Sequence, residues 1–200
     1  MIRVLTLAAG IGLALTACGP IVQIGGNSEA LPSLLNLDPA RAPSGNTSGQ
    51  PLLIALPEIP GKLRTLRVPV TTSGTEVQYL GAANWIEQPH ILFQRLLMDV
   101  IAADTGRPVI DEGLVTVVPE YRLSGSLREF GLDVSGSDGA AVVIRYDAVL
   151  STPVDGFAAS RSFTARQPVF SQSGPAVADA LSAAANLMAE EIASWIAAQD

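Results

Sequence analysis

The 200 residues hold one cysteine and one histidine. Cys18 follows Leu15-Thr16-Ala17, and its sulfur, as thiolate, is a nucleophile able to form a thioether. His90 is the one imidazole, and as a general base it needs a nucleophile and an orienting carboxylate. It sits beside Pro89 in the first turn of an expected helix, which reads as a surface position rather than a catalytic one. Carboxylates gather at Glu87, Asp111-Glu112 and Glu190-Glu191. Adjacent helical residues point about 100° apart, so 190 and 191 do not face one another and read as a solvated face. Trp85, between a strand and a helix with Tyr79 nearby, is a candidate for contact with a partner or ligand, because aromatic residues dominate interface energetics. Trp195 ends a helical stripe and reads as packing. With one Cys and one His, a four-ligand zinc site of the usual type cannot be built within one chain. No metal and no cofactor are expected, and there is no Gly-x-x-x-x-Gly-Lys-Ser/Thr phosphate loop.

The segment that must position Cys18 is the N-terminus. Arg3 and the free amine precede an uncharged run from Val4 to Ala17. As a helix that run is ~21 Å long, short of the ~30 Å hydrocarbon core, so residues 1–17 read as a signal peptide. Leu15-Thr16-Ala17-Cys18 resembles the bacterial lipobox, in which the thiolate takes a diacylglyceryl group and a peptidase cuts after a small residue. Acylated Cys18 is then the membrane anchor, and two or more acyl chains hold stably where one does not. By the sorting rule of such proteins, Gly19 rather than Asp implies the outer membrane. The net charge of −7 and the single lysine, Lys62, argue against nucleic acid as a partner and against a polybasic grip on lipid.

Residues 18–50 are rich in Gly, Ser, Pro and Asn and read as an acylated tether, ~100 Å long if extended, with a possible edge strand at 31–37. Residues 51–200 read as the folded domain. Strands are expected at Leu52–Leu56, Leu63–Val70, Thr75–Leu80, Val115–Val118, from Tyr121 through Leu127, from Val142 to Leu150 and from Phe157 to Ala165. Apolar stripes at helical spacing predict helices over 88–104 and about 174–197. Turn signals at short spacing suggest hairpins. The expectation is an α+β domain in two layers, an antiparallel sheet of about five to seven strands against two long helices.

Three stretches, taken in order, resemble a known family. They are Leu63-Arg-Thr-Leu-Arg-Val-Pro-Val with Val77-Gln-Tyr-Leu-Gly-Ala-Ala-Asn-Trp85, then Tyr121-Arg-Leu-Ser-Gly-Ser-Leu-Arg-Glu-Phe130, then Ser160-Arg-Ser-Phe163 before an Ala-rich helix. With the lipobox, they resemble the ABC-type transport auxiliary lipoproteins. The resemblance implies a lipid-anchored, non-enzymatic periplasmic subunit, commonly at the outer membrane. It would serve transporters built from an ABC ATPase, a permease and an MCE-domain protein, which move phospholipid or other hydrophobic compounds between membranes and maintain the envelope. A homo-oligomer is a further expectation, and a stand-alone periplasmic lipid-binding lipoprotein is the alternative.

Overall fold

The computed structural model describes residues 32–43, 45–113, 117–152, 156 and 158–199. Cys18 and the expected signal peptide lie outside the described residues. The domain is α+β in two layers, as expected. Three long strands, β6 (Tyr121–Asp133), β7 (Ala141–Ser151) and β8 (Ala158–Pro168), form an antiparallel meander. Alternation builds it: Val142, Ile144, Tyr146, Ala148 and Leu150 of β7 are buried, while Arg145 and Val149 between them are exposed.

β6 does not keep one parity. Leu123 and Leu127 are buried, and so are Phe130 and Leu132, because the pairing with β7 shifts between Leu127 and Glu129. The extra residue, Arg128, is a β-bulge that turns the second half of the strand over. At Gly125 a Cβ would run into the Asp147 carbonyl oxygen and the Tyr146 ring. The missing side chain is the space that Tyr146 fills.

The other strands are shorter. They are β1 (Ser33–Leu35), β2 (Leu52–Ile54), β3 (Arg67–Thr71), β4 (Val77–Trp85) and β5 (Val109–Ile110). The sheet has eight strands in the order β1-β4-β3-β6-β2-β5, with β7 and β8 on the other side of β6. The edge of β6 away from β7 is shared: β2 pairs at 121–123, Glu58 bridges to Ser126, and β3 pairs at 132–133. The expectation of a purely antiparallel sheet is corrected here. β1/β4, β2/β5, β2/β6 and β3/β6 are parallel, because their connections are long crossovers rather than hairpins. The strand expected from Leu63 begins at Arg67, since Gly61–Leu63 is a 3-10 turn that buries Leu63. Residues 114–116 lie outside the described residues and 117–118 are not strand; Val109–Ile110 takes the place beside β2.

α1 (Pro89–Thr105) and α2 (Gly174–Ala197) cover one face of the sheet and pack on each other. α1 starts with Pro89 at its first turn and stops at Gly106, whose φ of 67° lets its N–H reach the Ala102 carbonyl. Its apolar stripe, Leu92, Phe93, Leu96, Leu97, Val100 and Ile101, is buried. Gln94 crosses to β2 and donates to the Ile54 carbonyl at 2.9 Å. Aromatic rings run through the core from Trp85 to Phe130, Phe93 and Tyr146, with centroids 5.7, 6.2 and 5.4 Å apart.

The segment 38–50, expected as free tether, is held on the domain. The Ala40 N–H donates to Asn186 Oδ1 at 2.7 Å, and Asn186 Nδ2 donates to the Asp38 carbonyl at 2.8 Å. The Asp38 N–H reaches the Ser182 hydroxyl, Arg41 pairs with Asp104 at 2.6 Å, and the Ser48 N–H bonds to the Gly106 carbonyl. Leu35 and Leu37 are buried in the core. The composition has few apolar side chains, but α2 supplies polar partners, so this stretch is a strap over the two helices.

Candidate functional site

β4 carries both aromatic residues singled out for contact, and it separates them. Arg67 of β3 pairs with Asn84 while Pro69 pairs with Tyr79, so two steps on β3 face five on β4. The excess is absorbed around Ala82, which holds a φ of 51°. Past this bulge Trp85 turns into the core and is fully buried against Phe130. A contact role for Trp85 at the surface is therefore corrected to packing. Tyr79 stays half-buried at the surface. Its hydroxyl donates to the Lys62 carbonyl at 3.3 Å, and the Arg67 guanidinium lies 4.7 Å over its ring. Trp195 packs on Phe163 at 5.7 Å, as expected.

His90 is buried, not on the surface, because Pro89 and His90 sit on the inner side of the first turn of α1. Among the described residues its Nδ1 has no hydrogen-bond partner, and burial, with Arg64 adding to it, holds the imidazole below its usual pKa. The carboxylate pairs turn to arginines rather than to each other: Glu87 to Arg95, Glu112 to Arg122, Glu191 to Arg161. Among the described residues no group of three or more His, Cys, Asp or Glu stands together as a metal site would need.

The sheet face away from the helices is a network of opposite charges. Lys62 meets Glu129 at 2.5 Å, and Arg128 meets Asp147 at 2.9 Å, where Ser162 also donates at 2.7 Å. The Ser162 hydroxyl and Arg128 hold the Asp147 carboxyl below its usual range. Asp133 is lowered to about 2, first by the Ser135 hydroxyl and then by Arg166. Between the β3–β4 hairpin and this face lies a cleft of about 300 Å³ with Lys62, Pro69, Val77, Gly131 and Arg145 on its walls. A second, of about 350 Å³, opens where the C-terminal ends of the helices meet β2, beside Leu52, Asp104, Arg107 and Ile196. Both sit at the small end of the ligand-pocket range of ~300–1,000 Å³. Among the described residues no helix is long and apolar enough to cross a membrane.

Sequence reasoning missed two exposed apolar side chains on the outer face of the β1–β4 corner, and a third, Leu66, opposite Trp85 on the helix side. Leu34 is 72% exposed, Ile86 46% and Leu66 44%. The Ile86 N–H donates to the Leu35 carbonyl at 2.9 Å, and the Trp85 N–H to the Leu66 carbonyl at 2.6 Å. The alternation that buries Leu35 and Trp85 leaves Leu34 and Ile86 on the outer face.

These features define a two-layer α+β domain with a charged outer sheet face and exposed apolar side chains at its β1–β4 corner. The chain belongs to the family described as the ABC-type transport auxiliary lipoprotein component, which matches residues 33–193. It is similar to the crystal structure of protein XCC0632 from Xanthomonas campestris, at 24% identity and a TM-score of 0.65, over 84% of this chain and 93% of that one. A second crystal structure, of an uncharacterized protein, is similar at 17% identity and a TM-score of 0.69, over 84% and 99%. These likenesses show the fold. No curated protein matches the chain.

Proposed function

We propose that this protein is a non-enzymatic accessory subunit of an ABC/MCE-type transporter. Acylated Cys18 anchors it in the outer membrane, facing the periplasm. The transporter moves phospholipid or other hydrophobic compounds between the two membranes and so supports the envelope. The observation that carries the reading is the family match over 33–193 in a chain whose Cys18 follows Leu15-Thr16-Ala17. The fold agrees with a docking role: the interior is packed with side chains, and the charged groups lie in ion pairs on an open sheet face. The contact with the MCE-domain protein, permease or ATPase is then made by surface, not by a reaction centre.

Two measurements test this. Mass spectrometry of the protein from its own membranes should find Cys18 as the first residue, carrying a thioether-linked diacylglyceryl group. Crosslinking in intact cells, followed by purification in detergent, should recover an MCE-domain protein. An unmodified Cys18 sulfur overturns the anchor, and recovery of no MCE-domain partner overturns the transporter role.

A further inference from the structure

We infer that the outer corner of β1 and β4, with Leu34 and Ile86, rests on a phospholipid surface; the inference builds on the anchor reading above. The first argument is chain length. With residues 38–50 strapped to the helices and β1 paired to β4, only residues 19–31 separate Cys18 from the start of the described domain at Pro32. That stretch spans at most ~50 Å when extended, half of what a free tether to residue 50 allows. The domain is therefore leashed close to the bilayer that holds Cys18.

The second argument is where the leash joins. Leu34 lies two residues past Pro32 and is 72% exposed, so the most exposed apolar strand residue of the sheet is next to the attachment point. Ile86 shares its outer face, whereas Leu66, opposite Trp85, lies on the helix side. Leu34 and Ile86 are the two large apolar side chains that this face holds in water beside the attachment point.

The third argument is charge. The protein carries −7 overall, yet Arg67, paired with Asn84 beside Leu34, is exposed, and among the described residues it pairs with no carboxylate. Arg67 lies over the ring of Tyr79, and an aromatic with a polar tip beside an arginine suits the headgroup layer. Glu87, the nearest acid along the chain to Ile86, is neutralised by Arg95. A lipid phosphate fits the Arg67 guanidinium, which has no carboxylate partner among the described residues, while the Leu34 and Ile86 side chains meet the acyl boundary.

The test uses the full, acylated chain in vesicles of phosphatidylethanolamine and phosphatidylglycerol. Once Cys18 is a thioether, an introduced cysteine is the only thiol. Leu34→Cys, Ile86→Cys and, as the control, Leu187→Cys on the exposed side of α2 are each labelled with an environment-sensitive fluorophore. Lipids spin-labelled near the headgroup should quench the labels at 34 and 86 several-fold more than the label at 187. Equal quenching at the three positions, with the protein still sedimenting with the vesicles, overturns the docked corner and leaves the anchor standing. Failure to sediment overturns the anchor, and this inference with it.

Discussion

β6, β7 and β8 run for 11 to 13 residues each and pair with one another antiparallel along their lengths, whereas β1, β2, β3 and β5 run for two to five residues and pair mostly in parallel. Both halves lie under the same two helices. The meander is held by neighbours in sequence, through hairpins and cross-strand pairs. The short strands are held by partners far away in sequence: β2 by β6, β1 by β4 and α2, and the strap by Asn186. The meander closes short loops, while apart from the β3–β4 hairpin the short-strand half closes long ones, which cost more chain entropy.

Replacing the side chain that joins the halves should have the largest effect. Trp85→Ala removes a fully buried indole from against Phe130 and should lower stability by about 3–5 kcal/mol in denaturant unfolding. In hydrogen exchange the loss should appear first in β1, β3 and β4, and equal loss of protection in β7 would erase the distinction between the halves. Gly125→Ala strikes the meander instead. Its methyl group collides with the Asp147 carbonyl and the Tyr146 ring, at a cost of about 1–3 kcal/mol, and protection should fall along β6 and β7.

Asn186→Ala should cost about 1 kcal/mol, and its signature is local. The Ala40 amide loses its acceptor and the Asp38 carbonyl its donor, so exchange at residue 40 and proteolysis within 38–50 should speed up while β6 to β8 stay protected. Acid gives the smallest effect and separates the halves by pH. Asp133, lowered to about 2 at the end of β6, stabilises the fold above its unfolded value near 3.8. That contribution, on the order of 1 kcal/mol after solvent screening, disappears as pH falls from about 4 to 2. His90 acts higher: with its pKa lowered in the fold, the unfolded chain takes up the proton first, so stability begins to fall as pH drops below about 6.5. His90→Gln should remove that slope and leave the Asp133 transition in place, as urea midpoints across pH would record.

The alternation of Val142, Ile144 and Tyr146 and the stripe of α2 are periodic signals, and the structure follows them closely. What periodicity cannot reveal is an inserted residue. The bulge at Arg128 changes which side of β6 is buried, and the one near Ala82 sends Trp85 inward while Tyr79 stays outside. Leu127 and Phe130 are three apart, and that odd spacing is the available clue to the first bulge; Tyr79 and Trp85 are six apart, an even spacing that carries no clue to the second. The strap was hidden for another reason: its polar composition matches a free linker, and its partners lie some 146 residues further along the chain. The burial of His90 depends on how α1 enters the sheet, which no local pattern carries.

The strap also bears on how the chain would take a pull. A pull on the chain before Pro32 would enter at β1, three residues long and on the rim of the sheet, and pass next to the hydrogen bonds around Asn186. These contacts come before the meander along the chain, so they would take the load first. Their release would free residues 32–50 and lengthen the line by ~65 Å.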